Sequence, residues 1–244
     1  KDLFPIWATS LAYAVVFAQT STLFTEQGVT MDKSIGSGFV LPAASLQYLT
    51  GISIILFVPI YDRIFVPLAR TITGRPSGIT KLQRIGIGMV LCTASMIIAA
   101  LVERKRLQIA QWNGLAGLPH ATVPMSFWWL VPQYILFGIA DVFTVVGLQE
   151  LFYDQMPSEL KTIGLSFFLS IFRIGSFLSS FLISSIERFT SSGSRVGGWF
   201  SSNLNQAHLD YFYWLLAGFS MVEFLAFLYY ANSYAYNGQG RSTA

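Results

Sequence analysis

Charge is scarce in this chain, with 15 Lys and Arg and 12 Asp and Glu among 244 residues. With 53% hydrophobic residues and a mean hydropathy of +0.55, a soluble domain of this length would lack the polar surface to cover itself. Cysteine is reduced to Cys92, which excludes an internal disulfide and, inside an apolar run, leaves a packing role. Histidine is reduced to His120 and His208, both in connecting segments without partners at metal-ligand spacing, so no metal site is expected. There is no Gly-Xaa-Ser-Xaa-Gly, no phosphate loop and no His-Glu-Xaa-Xaa-His, and neither an enzyme nor a cofactor is expected. Nor is a nucleic-acid partner expected. A cleavable leader pattern is missing too, and the chain starts at Lys1, which reads as a piece of something longer.

What the chain does have is long apolar runs. A helix crossing a bilayer needs about 20 mostly apolar residues, and six such runs are expected as helices at 4–24, 40–60, 82–102, 127–148, 163–186 and 211–231. They are about twice the length of a barrel strand and lack its in-out alternation, which argues for an all-α membrane protein with the lipid bilayer as its solvent. Five basic residues, Arg63, Arg70, Arg75, Lys81 and Arg84, crowd the segment between the second and third runs and place it in the cytosol. Arg104, Lys105 and Arg106 after the third run are the competing signal. The segments 103–126 and 187–210 are expected as extramembrane loops, and 234–244 as a short polar tail.

Ionisable side chains inside these runs carry the functional information. Placing one at the bilayer centre costs about 2.5–3.5 kcal/mol on insertion scales, so such groups face water, a partner or each other. Asp141 lies inside the fourth run and Arg173 inside the fifth. At 100° per residue, Tyr134, Asp141, Val145, Leu148 and Phe152 share one helix face. Arg173 shares a stripe with Ser166, Ser170, Ser180 and Ser184, a pattern usually meaning close helix packing. Arginine binds carboxylates bidentately, so an anion site and a partner for Asp141 are both chemically reasonable roles for Arg173 in a cavity, beside a purely structural one. In the first run Ser10, Tyr13, Phe17 and Thr20 line one face, and Gln47 and Gln133 are polar candidates in the second and fourth. Glu223, the one charged residue of the last run, is left without an assigned partner.

The string DRIFVPLARTITGRPSGITKLQRIGIG from Asp62 to Gly88 resembles the plant nitrate and peptide transporter family, a branch of the proton-coupled oligopeptide transporters within the major facilitator superfamily. The same resemblance runs through Pro5-Ile6-Trp7-Ala8, Ala18-Gln19, Pro42-Ala43-Ala44-Ser45-Leu46, Pro132-Gln133-Tyr134 and Phe152-Tyr153-Asp154-Gln155-Met156-Pro157. It implies that the six runs correspond to the C-terminal bundle of a twelve-helix transporter whose N-terminal bundle is absent. Asp141 then matches a position where many members carry a cavity-lining glutamate. Phe17 stands where a nitrate-transporting relative has an anion-binding histidine, so that site is not carried over.

The resulting expectation is half of a proton-coupled symporter that moves a small solute by alternating access, with the proton as coupling ion. Nitrate, di- or tripeptides, hormones and specialised metabolites are all compatible solutes, in the plasma or the vacuolar membrane. The expected substrate or proton residues are Asp141, Arg173, Phe17, Tyr13, Tyr134, Gln47 and Gln133. The alternative is a transport-incompetent membrane protein that senses a ligand or regulates a full-length relative.

Overall fold

Helix punctuation in the sequence sets the order of elements. A computed structural model describes residues 4–20, 22–35, 39–74, 79–119, 121–191, 199–200 and 203–242. Helix α1 runs over Phe4–Thr20, followed closely by the short α2, Leu23–Val29. Helix α3, Gln47–Ile60, contains Pro59, whose missing N–H and bulky ring disturb the regular ladder. The chain absorbs this with a π-helical turn over Tyr61–Phe65 and continues as α4, Val66–Thr73. The expected helix end near residue 60 is therefore corrected: the helical path continues until Gly74, whose left-handed φ of 66° closes it. Arg75 of the basic segment lies outside the described residues, as does His120.

Helix α5, Lys81–Trp112, opens with a capping box in which Thr80 Oγ1 accepts the Gln83 amide at 3.2 Å and Gln83 Oε1 accepts the Thr80 amide at 3.0 Å. Helix α6 is Val131–Asp154, with Pro132 in its first turn, α7 is Lys161–Ser191 and α8 is Leu209–Ser242. Two tiny sheets tie the connections together. Strand β1, Met31–Asp32, pairs in parallel with β4, Val123–Ser126, while β2, Ser34–Ile35, pairs antiparallel with β3, Phe39–Val40.

Five stretches are long and apolar enough to cross a membrane: Ala43–Ile72, Lys81–Trp112, Phe127–Asp154, Ser158–Thr190 and Leu209–Ser233. Helix α1, at 17 residues, supplies the sixth run. Part of one expected loop and most of the expected tail are helical instead. Helix α5 extends ten residues past the expected end, because Val102, Leu107 and Ala110 keep one face buried while Glu103 pairs with Arg106 three residues on. Helix α8 runs through most of the expected polar tail.

Helix α5 packs against α6 and α8, α1 against α7 and α8, and α6 also against α3 and α7. Two apolar clusters fill the bundle. One gathers Phe24, Met96, Phe127, Tyr134, Phe212 and Tyr213, and the other Ile6, Met89, Leu148, Phe152, Phe168 and Phe227. On α6 the first cluster ends at Ala140 and the second resumes at Leu148; on α8 the corresponding residues are Ala217 and Phe227. Asp141 and Glu223 occupy these two gaps. They form a thin polar layer between two apolar ones.

Candidate functional site

Three close helix approaches make room for Asp141 inside the bundle. A Cβ on Gly138 would lie 2.8 Å from the Thr50 carbonyl oxygen, so α3 touches α6 one turn before Asp141. A Cβ on Gly88 would meet the Thr144 amide at 2.8 Å and the Ala140 carbonyl at 2.9 Å, so α5 presses on the same turn. From the remaining side α1 delivers Tyr13, fully buried, whose hydroxyl donates to Asp141 Oδ1. Asp141 is 6% exposed. The Tyr13 amide also donates to Glu223 Oε1 at 2.9 Å, and Glu223 is 5% exposed. One tyrosine of α1 thus touches an acid of α6 through its side chain and an acid of α8 through its backbone.

The other candidates fall into separate settings. Gln133 is buried, with Nε2 donating to Gln27 Oε1 at 3.1 Å, while its carbonyl accepts from Ser95 Oγ at 2.9 Å; it ties α6 to α2 and α5. Tyr134 is buried with its ring edge-on to Phe24 at 5.3 Å. Phe17 packs against Phe172 at 5.1 Å and Phe137 at 6.1 Å. Gln47 is exposed at the start of α3, and its Nε2 donates to Thr25 Oγ1 at 2.8 Å.

Arg173 does not meet Asp141. A Cβ on Gly175 would lie 2.8 Å from the Ala14 carbonyl carbon, so that side of α7 is fixed against α1. Two residues earlier is 200° around a helix of 100° per residue, which turns Arg173 to the opposite, exposed side. The expectation that the serine stripe packs is likewise corrected. Ser170 alone of the four faces α1, accepting Trp7 Nε1 at 3.0 Å, whereas Ser166, Ser180 and Ser184 are exposed. Ser166 and Ser180 return their hydroxyls to the carbonyls of Thr162 and Ser176, four residues back. The exposed polar stripe therefore reads Ser166, Arg173, Ser176, Ser180, Ser184 and Glu187, all within about 80° of one direction.

Residues 2–200 match the POT family. The chain belongs to the POT family. Among its relatives it is 59% identical over 232 residues to protein NRT1/PTR family 5.10 of Arabidopsis thaliana, covering 95% of this chain and 42% of that protein. It is 59% identical over 234 residues to family 5.14 of the same plant, covering 96% and 42%. The in meso crystal structure of the POT family transporter PepTSo matches with a TM-score of 0.70 at 19% identity over 96% of this chain and 41% of that one. An auto-inhibited POT family peptide transporter matches with a TM-score of 0.71 at 20% identity over 95% and 41%. The chain thus spans about two fifths of the length of these POT proteins, and it is a multi-pass membrane segment corresponding to their C-terminal half.

Within this POT segment, the sequence pointed to Asp141 and Tyr13 but not to the layer they form with Glu223. Glu223 carried the same signal as Asp141, a lone acid in an apolar run. Its partner is a backbone amide about 200 residues away, which no side-chain pattern announces.

Proposed function

We propose that this chain is the C-terminal half of a proton-coupled secondary transporter that moves a small solute by alternating access. The observation carrying this reading is the uncovered polar stripe of α7. A helix of membrane-spanning length that presents Arg173 and four serines outward is unsuited to lipid, and such residues normally face a water-filled pathway or a second bundle. Membership of the POT family, together with the two-fifths coverage of its relatives, supports such a second bundle. In this reading the solute sits between the bundles, Arg173 tunes the charge of its pocket, Phe17 shapes the wall beside it, and Gln47 is a polar group at the mouth. Asp141 carries the coupling proton, with Tyr13 holding its carboxyl in place, while Tyr134 and Gln133 position α6 and α2.

Uptake by the complete protein containing this chain tests the reading. Vesicles would be assayed with nitrate, di- and tripeptides, hormones and specialised metabolites, with and without an inward proton gradient. At least one solute is expected to accumulate only with the gradient. Asp141→Asn is expected to suppress gradient-driven uptake while leaving solute exchange at equal pH largely intact, because exchange returns the carrier loaded and needs no net proton movement. Equal loss of both activities would assign Asp141 to solute binding or to the fold.

A further inference from the structure

Glu223 is a buried acid that the transport reading leaves unused. Its surroundings lie wholly within this bundle, so they do not depend on the rest of the transporter. Helices α1 and α5 pack against α8. From α1 the Tyr13 amide donates to Glu223 Oε1 at 2.9 Å, and α5 carries the buried Cys92. The other acid of the layer is Asp141 of α6, held by the hydroxyl of Tyr13, itself a titratable group. Among the described residues no Lys, Arg or His forms an ion pair with either acid; the basic partners of the bundle are bound to Asp154, Glu150, Glu103 and Asp210.

Two carboxyls thus share one layer without an ion-paired cation, each bonded to Tyr13. An ionised carboxylate between apolar clusters needs compensation by a partner or by water, whereas a protonated one does not. Both acids are anchored to the same residue, through the hydroxyl on one side and the amide on the other. That amide belongs to a helix interior, where regular geometry sends each N–H to the carbonyl four residues earlier. Its alignment with a carboxyl of another helix therefore reports the position of α1 relative to α8. A shift of α1 that follows a change of charge on Asp141 also changes what Glu223 is bonded to.

We propose that Glu223 is a second proton-binding residue of this transporter, linked to Asp141 through the placement of Tyr13. The inference rests on the proton-coupled reading above. Per cycle Glu223 takes one proton from water on one side of the membrane and returns one to water on the other; no other bond is made or broken. The amide N–H of Tyr13 does not pass protons between the acids. It couples them mechanically, by moving with α1.

The test measures proton binding separately from transport. The complete protein in lipid is titrated while the infrared carbonyl band of protonated carboxyls is recorded, alongside the number of protons taken up. Glu223→Gln keeps an oxygen acceptor for the Tyr13 amide but removes the titrating group, so the fold retains its anchor. The expected result is loss of one pH-dependent carboxyl band and of one proton taken up per molecule, with a second, distinct band lost in Asp141→Asn. Glu223→Asp keeps a carboxyl at shorter reach and is expected to shift the band rather than remove it. In vesicles, Glu223→Gln is expected to displace the pH profile of uptake. An unchanged band, proton count and pH profile in Glu223→Gln overturns the proposal, as does an unshifted band in Glu223→Asp. Should the unmodified protein show no gradient-driven uptake, the transport reading fails on its own terms, while the infrared titration still decides whether Glu223 binds a proton.

Discussion

Arg106 is a fully engaged side chain near the end of α5. It is buried at 0% exposure, with Nε and one Nη donating to the two oxygens of Glu103 at 2.9 and 2.6 Å. Its remaining bonds reach Thr30 Oγ1 at 2.8 Å, Asn205 Oδ1 at 2.9 Å and the Leu204 carbonyl at 2.7 Å. Asn205 in turn donates to the carbonyls of Leu118 and Ala121. Removing the guanidinium leaves Glu103 buried and uncompensated, so Arg106→Ala is expected to cost about 3–5 kcal/mol. Combining Glu103→Gln with Arg106→Met is expected to restore part of that, since the stranded charge disappears. Thermal unfolding of the purified protein in detergent checks both; a single variant within about 1 kcal/mol of the parent would show the clasp to be dispensable. None of this was legible in the sequence. Arg104-Lys105-Arg106 reads as a basic loop, and only the fold separates two exposed residues, Lys105 over the Trp129 ring at 3.5 Å among them, from a third sealed inside. The competing orientation signal thereby loses one of its three charges.

Between elements, the decisive contacts are made by glycine. At Gly175 an added Cβ would fall 2.8 Å and 3.1 Å from the Ala14 carbonyl carbon and Cα, so the backbones of α1 and α7 touch there. Gly175→Ala must push the helices apart and is expected to destabilise by about 1–3 kcal/mol, as overpacking does. Gly218 of α8 has nothing within 4 Å of such a Cβ, and Gly218→Ala is expected to be neutral or to stabilise by up to about 1 kcal/mol through helix propensity. Melting temperatures of the two variants distinguish close approach from a general intolerance of substitution. The presence of the helices was legible from their apolar length, because the bilayer imposes that length. Their ends were not. Pro59 and the charges after Val102 are stop signals in a water-exposed chain, but a π-helical turn overrides the first and a paired, half-buried face overrides the second.

Taken whole, the bundle is unevenly finished. Within the most apolar window of each span, 61% of positions are buried in α5 and α6, against 22% across Ser158–Thr190 and 11% across Ala43–Ile72. The α3–α4 path and α7 are surfaces in search of cover. Lipid suits the first, with Ile52, Ile55, Leu56, Ile64 and Leu68 outward, and not the stripe of α7. In the complete protein containing this chain, cysteines placed at Ser176 and Ser184, in a background without Cys92, are expected to react with a water-soluble thiol reagent. One placed at the outward, lipid-suited Val222 is expected to remain unlabelled. The reverse pattern would put the stripe of α7 in lipid and count against the proposed transport pathway. The resemblance in sequence implied a half-transporter; the direction in which Arg173 points came only from the packing of Gly175, two residues away.

The Arg106 clasp also has a consequence in time. Glu103 precedes Arg106 by one helical turn, so the two charges can neutralise each other as soon as this stretch leaves the ribosome. Asn205, however, is 99 residues further on. At about 5–20 residues per second, synthesis takes roughly 5 to 20 s to supply it. Through that interval the C-terminal end of α5 carries buried-site donors that its own helix cannot fill.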